Sequence, residues 1–244
     1  MSNMREPTRG DDDNTSGPEV RRRPFAEYFK HHESRPPRQQ VTEVVERLQQ
    51  ERGDLSQIFA LEIGAGAMVE SRYLLEAGVG HVDAYDASED AEARAITVGL
   101  QHNDFDRDER FAFHRIRNEE LPDHLPSETY DLIVSYLTLQ FTQPEHFEAA
   151  WQALLASLKP GGLMSVQLAG DRHDWAKKHG RMTFLSRERV EGLFEGFEDV
   201  QIEERDQPDQ PLSDGSTAHW HDYWITARKP LDSGEARATP DNQV

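Results

Sequence analysis

The sequence predicts a doubly wound α/β domain, with a mostly parallel sheet covered by helices on both faces. Three observations carry that expectation. Short apolar runs alternate along the chain with stretches of helical periodicity. The first run, 58–63, opens directly into a glycine turn, Gly64-Ala65-Gly66. The second, 81–85, ends at an acid, Asp86.

The elements follow in order. Pro24 suits the first turn of a short helix carrying Phe25, Tyr28 and Phe29, and Pro36-Pro37 interrupts it. The next helix places Val41, Val44, Val45 and Leu48 on one face and stops at Gly53. After the first strand a helix runs over 69–77 to Gly78, and after the second Ser88 caps a helix extending to 101. A third strand covers 110–116 and a fourth 130–137. Phe147, Trp151, Leu154, Leu155 and Leu158 mark one face of a helix ended by Lys159-Pro160-Gly161-Gly162, and a fifth strand covers 163–168. Ser186 caps a helix with Val190, Leu193 and Phe194 inward. Strands at 197–202 and 220–227, joined by a polar loop, form an antiparallel pair. The domain spans 24–229, with 24–52 as a covering segment; the polar ends 1–23 and 230–244 are expected to be disordered.

Composition narrows the function. A net charge of -19 repels phosphate backbones, which argues against nucleic acid as a partner. Acidic residues number 46, and lysine occurs only at 30, 159, 177, 178 and 229, a balance that suits a salt-adapted, soluble protein. With no cysteine there is no disulfide, thiolate nucleophile or cysteine-held zinc. No apolar run has the length of a membrane span and no signal peptide is evident, so the expectation is a cytoplasmic monomer or homodimer without a membrane partner.

The sharpest local feature is Glu62-Ile63-Gly64-Ala65-Gly66 with Asp86 twenty residues after Gly66. Glycines let the turn adopt positive φ and let a ligand approach the backbone. An acid ending the second strand accepts both hydroxyls of a ribose, so the pair describes a nucleoside-containing ligand at the switch point of the sheet. A nicotinamide dinucleotide fits less well. Val69 stands where the third glycine of a dinucleotide loop would fall, and Glu62 opposes a pyrophosphate.

Glu62-x-Gly64-x-Gly66, Asp86, Tyr130-Asp131-Leu132-Ile133-Val134-Ser135 and Leu158-Lys159-Pro160-Gly161-Gly162 occur in the order found in class I S-adenosylmethionine-dependent methyltransferases, which this chain resembles over about 58–168. Met68 replaces a third glycine common in that class. The flanks resemble small-molecule methyltransferases of the tellurite-resistance (TehB-like) type, through Tyr28-Phe29, Arg35-Pro36-Pro37-Arg38, Gln167-Leu168-x-Gly170-Asp171, Trp175, Met182-Thr183-Phe184 and His219-Trp220-His221. The resemblance implies a Rossmann-like sheet of seven strands with the last antiparallel, and S-adenosylmethionine as cofactor. It further implies that Glu62, Gly64, Ala65 and Gly66 hold the methionine part and Asp86, with Ala87 beside it, the ribose. Ile116 and Arg117 would flank adenine, Ser135 and Tyr136 would line the pocket near the sulfonium, and Tyr28 and Arg38 would close it.

Methyl transfer needs binding and alignment more than acid–base chemistry. Where a proton must be removed, His219 and His221 are the candidate bases, on one face of a strand; as a metal pair they lack a third ligand, and no metal is expected. Phe141, Gln167, Asp171 and Trp175 are the candidate substrate contacts for a small-molecule acceptor. Two other readings stay open: a module that binds S-adenosylmethionine without catalysis, and an NAD(P)-dependent oxidoreductase.

Overall fold

A computed structural model describes residues 29–30, 32–101, 109–211 and 217–231. The expectations for Pro24, Phe25, Tyr28, the 1–23 end and 232–244 fall outside the described residues. Seven strands form one sheet in the order β3-β2-β1-β4-β5-β7-β6. They are β1 (Phe59–Ile63), β2 (His81–Asp86), β3 (Phe111–Arg115), β4 (Tyr130–Ser135), β5 (Leu158–Ala169), β6 (Glu198–Pro211) and β7 (Thr217–Arg228). β7 runs antiparallel to both β5 and β6, while β1 to β5 are mutually parallel. This is the predicted doubly wound sheet with its last strand reversed. The strand order turns back between β1 and β4, which opens a crevice at their carboxyl ends.

Several boundaries differ from expectation; β4, expected to reach 137, ends at Ser135 because Leu137 turns left-handed at φ 56°. β6 and β7 extend through most of the segment expected as polar loop, because charged residues on an edge ribbon stay solvated while the backbone pairs. β5 begins at Leu158, which pairs with Tyr130 and so is a strand residue rather than part of the preceding helix face.

Helices cover both faces. On one lie α1 (Gln39–Arg52) and α2 (Val69–Glu76), whose Val41, Val44, Val45, Leu48, Leu74 and Leu75 pack on Ala60, Val82, Leu132 and Val134. α3 (Glu89–Gln101) follows β2, and the single turn α4 (Leu121–His124) precedes β4. The other face carries α5 (Pro144–Ser157) and α6 (Arg187–Leu193), with Phe147, Trp151, Leu154, Val190 and Leu193 against Leu61, Ile63, Ile133, Met164, Val166 and Ile225. Ser186 caps α6 as predicted, accepting the Arg189 N–H. Arg228, buried at the end of β7, donates to both carboxylate oxygens of Glu51 at 2.6 and 2.8 Å and ties α1 to the sheet. No helix among the described residues is long and apolar enough to cross a membrane.

A polar cluster joins β2, β3 and β4 away from the crevice. Asp83 accepts from Tyr130 Oη at 2.8 Å, His114 Nε2 at 3.0 Å and His81 Nε2 at 3.2 Å. Burial opposes the Asp83 charge, but these three donors outweigh it and hold the carboxyl well below its usual range. His81 Nδ1 lies 2.7 Å from the Glu109 carbonyl. Both partners of the ring accept only, so it is the protonated form of His81 that makes both bonds. Its bond to Asp83 raises its pKa above 6.5. The stability His81 contributes is therefore complete below pH 6.5 and is lost as pH rises through the raised folded value. His81→Asn should destabilise the chain clearly at pH 6 and much less at pH 9, as read by urea unfolding at both pH values; an equal loss at both would contradict the charged ring.

Candidate active site

The crevice between β1 and β4 gathers the residues singled out in the sequence. Gly64 has φ 76° and Gly66 φ 46°, both in the left-handed region. Tyr85 accepts the Gly64 and Ala65 N–H groups at 2.7 and 3.2 Å, so the turn folds back over the end of β2. Gly64 is required on steric grounds too: a Cβ there would lie 2.3 Å from Thr138 Cβ. One on Gly66 would lie 3.0 Å from the Phe29 ring, which covers the turn. Met68, in place of a third glycine, is the left-handed residue that opens α2, at φ 60°.

Asp86 stands at the mouth of this turn. Its two oxygens accept the Gly66 N–H at 2.9 Å and the Ser88 N–H at 2.8 Å. Burial pushes its pKa up, and these two bonds hold it back. Each oxygen keeps a lone pair for a further donor, so the carboxylate is oriented and still able to receive two hydroxyls. Ala87 follows it directly. The Ile116 N–H donates to the Asp86 carbonyl at 3.2 Å, which sets 116–117 beside the acid. Arg117 is exposed there, at the start of a one-turn helix.

Behind the turn lie two buried carboxylates. Glu62 receives the Ser71 hydroxyl; burial, with the neighbouring Glu70 charge, pushes its pKa up to about 8. Glu70 stays ionised despite burial, because Arg35 donates to it at 2.6 Å and Arg38 at 2.9 Å. Arg38 also lies 5.0 Å over the Tyr136 ring. The segment before α1 is thus pinned across the crevice by the first turn of α2. Glu70 at this helix start, with Glu62 beside it able to ionise, suits a cationic ligand group better than a pyrophosphate.

At the end of β4, Ser135 is paired with Ile63, one residue before Gly64. Its buried Oγ has no hydrogen-bond partner among the described residues, an orphan suited to a ligand at the crevice. Tyr136 is buried, its hydroxyl 2.6 Å from Ser165 Oγ. Glu62, Ser135, Asp86 and the two left-handed glycines therefore fit a nucleoside with a charged amino-acid tail.

The acceptor side needs correction. His221 is buried on the α5/α6 face of the sheet, 3.6 Å from Asp171, where its Nδ1 accepts the Arg172 N–H at 3.0 Å and its Nε2 meets Glu204 at 3.0 Å. With both nitrogens committed it is no free base. His219 shares that face, its Nε2 hydrogen-bonded to Asp206 on the β6–β7 ribbon. Gln167 is no open substrate contact either: Leu137 N–H and Asp222 take both ends of its amide. Phe141 is half exposed on a one-turn helix at 139–141. Asp171 lines a cleft of about 530 Å³ with Phe147, Met182, Phe184 and Leu185, at the carboxyl end of β5. Trp175 stands beside it in an aromatic group with His173 at 5.3 Å and Trp220 at 6.0 Å.

Several participants were missed. Thr138, in a turn, and Asn118, which opens the one-turn helix after Arg117, belong to no motif. Asp222 adjoins the chosen histidines but points to the other face, and an odd-numbered core at Tyr223, Ile225 and Ala227 was the signal for that parity.

A family model described as a methyltransferase domain matches residues 61–164, the span from the end of β1 into β5. No curated protein matches the chain. Among solved structures, TehB from Haemophilus influenzae superposes with a TM-score of 0.65 at 16% identity, over 84% of this chain and 67% of that one. The N-methyltransferase NodS from Bradyrhizobium japonicum WM9, in complex with S-adenosyl-L-homocysteine, gives 0.56 at 16%, over 84% and 98%. The 1,6-didemethyltoxoflavin-N1-methyltransferase from Burkholderia thailandensis, with its substrate and S-adenosylhomocysteine, gives 0.53 at 17%, over 79% of each chain. At these identities the likeness is one of fold. The family match falls on the strands that carry the glycine turn and Asp86, so 61–164 is similar to a methyltransferase domain and the whole sheet shares the fold of these S-adenosylhomocysteine-bound enzymes.

Proposed function

We propose that the chain methylates a small-molecule acceptor by in-line displacement. The observation that carries this reading is the Asp86 carboxylate, fixed by two backbone N–H groups beside a left-handed glycine turn. When bound, S-adenosylmethionine supplies an electrophilic methyl on a sulfonium that leaves as a neutral thioether. The chain's part is alignment and dryness. Asp86, with Ala87 beside it, takes the ribose hydroxyls, and the exposed backbone at Ile116 and Arg117 borders the base. Gly64, Ala65 and Gly66 let the amino-acid tail reach Glu62, while Ser135 and Tyr136 wall the sulfonium end. Arg38 and Arg35, pinned to Glu70, close the crevice.

The acceptor enters from the cleft bordered by Asp171, Phe184 and Trp175, with Phe141 at its edge. A cleft of about 530 Å³ with an apolar wall and few polar groups has the size and character of a small-ligand site. With both strand histidines hydrogen-bonded to carboxylates of β6, the reading favours an acceptor that arrives already nucleophilic, such as a thiolate, a metalloid anion or an unprotonated amine.

The first test is calorimetric titration with S-adenosylhomocysteine. Asp86→Ala should weaken binding by about 1.5–3 kcal/mol, the worth of hydrogen bonds to a charged group; unchanged affinity would remove Asp86 from the site. Glu62 supplies a second test. Its pKa of about 8 in the free chain means it is mostly protonated at pH 7, and a cationic ligand beside it favours the charged form. Binding at pH 7 should release nearly one proton, and the release should fade above pH 8, as titrations in buffers of different ionisation enthalpy would show. Glu62→Gln should abolish that release. A release unaltered in the variant would place the titrating group elsewhere.

A further inference from the structure

Gln167 and Asp222 belong to no part of the site as read above, yet both are almost wholly buried, at 2% and 6% exposure, on the face of the sheet opposite His221. The orientation of the Gln167 amide follows from its partners. Leu137 offers a backbone N–H at 2.7 Å, which requires the Gln167 Oε1. The Nε2 therefore faces Asp222 Oδ2, at 2.8 Å, and Asp222 accepts. The result is a directional chain from a buried carboxylate on β7, through an amide on β5, to one peptide at the end of β4.

That peptide is under strain. Leu137 has φ 56°, a left-handed conformation that is unfavourable for a residue with a Cβ and persists only where surroundings over-determine it. The next residue is Thr138, whose side chain rests on Gly64. The Thr138 carbonyl accepts from Phe141 N–H at 2.9 Å and from Asn118 Nδ2 at 3.1 Å, so the turn is also braced from β3's side. Asp222 lies where β7 leaves β5: it is paired with Ala169, the last residue of β5. The amide bridge thus spans from the end of one strand pair to the turn over the glycine loop.

We propose that Asp222 and Gln167 act as a positioning relay, holding the Leu137–Thr138 turn against Gly64 and so fixing the wall of the crevice at which the methyl is presented. The proposal rests on the cofactor reading of the crevice, and deepens it by naming what holds its β4 wall in place. Neither residue touches cofactor or acceptor in this role.

Reversal of the bridge's polarity tests it. Gln167→Glu keeps an acceptor for Leu137 but sets a second carboxylate against Asp222. A shared proton reconciles the two at pH 6; at pH 9 both ionise and repel. The pair Gln167→Glu/Asp222→Asn restores the bridge, because the asparagine amide donates where the glutamine did. Other charges face this spot. Arg205 of β6 is paired with Asp222 in register and lies 4.1 Å over Trp224. Tyr136, next to Leu137, lies against Trp224 with Arg38 over its ring and Glu70 beyond, and His221 is on the other face. Burial holds the Tyr136 phenol above its usual range, so it stays neutral between pH 6 and 9.

Binding of S-adenosylhomocysteine and amide-exchange protection at Leu137 would be measured at both pH values in the wild type, Gln167→Glu and the double variant. Expected is near wild-type affinity for Gln167→Glu at pH 6, a loss of about tenfold or more at pH 9, and recovery in the double variant, with Leu137 protection following the same order. Gln167→Glu tracking the wild type at pH 9, or a double variant no better than the single one, would overturn the relay. A wild-type chain that failed to bind would instead sink the cofactor assignment. Leu137 protection would still judge the relay, which equal protection in all three chains would overturn. Should Gln167→Glu not fold at pH 9, a folded double variant with Leu137 protected supports the relay, and one that also fails overturns it.

Discussion

The constraint on which the rest of the structure depends is the contact between Gly64 and Thr138. β1 and β4 are neighbours in the sheet, yet the chain leaves them in opposite directions, because strand order reverses between them. Two turns must then pass each other over one crevice. They do so only because Gly64 has no Cβ and a positive φ, which leaves room for Thr138 where a side chain would stand. Everything that gives the crevice its chemistry is referred to that crossing. The Tyr85 carbonyl anchors one turn and Asp86 ends the strand carrying that carbonyl. The Gln167 amide anchors the other.

Electrostatics around the crossing explain why an acidic chain buries its acids there. A buried carboxylate is costly unless paired or protonated, and both solutions occur side by side. Glu70 is paired with two arginines from the segment before α1 and keeps its charge. Glu62, a few residues away and without a cation of its own, rises to a pKa of about 8. The pair works as a sorted system: one charge holds the covering segment in place, and one proton is held in reserve where a cationic ligand would displace it. Arg38 extends this order outward, since its guanidinium lies over Tyr136, whose ring tilts against Trp224 at 5.3 Å, with Arg205 over that indole in turn.

Much of the fold was legible in the sequence because its signals are local. Apolar runs such as 130–135 and 163–168 read as buried parallel strands, and Ser186 read as a cap, since both depend on neighbours within a few residues. The glycine turn and Asp86 were legible for a similar reason: one strand and one helix separate them, and together they define the mouth. What stayed hidden depends on long-range crossing. Nothing near Thr138 marks it as the partner of Gly64, and no spacing links Gln167 to Leu137 or to Asp222. The length of β6 was missed because its exposed face is as polar as a loop, and a strand at the sheet edge needs no apolar alternation on that face.

The histidines show how narrow the margin is. In a strand a shift of one residue exchanges faces, so identifying the right strand end does not identify the right side chain. The segment His219-Trp220-His221-Asp222 does lie at the carboxyl end of the sheet, as expected. Yet Tyr223, Ile225 and Ala227 belong to the core under α5 and α6, and that parity carries His221 to the same side, against Gly170. Gly170 is itself part of the reason: a Cβ there would lie 2.1 Å from the His221 ring, so the end of β5 is shaped to receive the imidazole. Asp222 is left facing the other side, where burial raises its pKa and the Trp224 indole and the Gln167 amide hold it back. The polar residues at this strand end are thus divided by face. The histidine seals the α5/α6 side with Glu204, and the aspartate, through Gln167, reaches the turn that rests on Gly64.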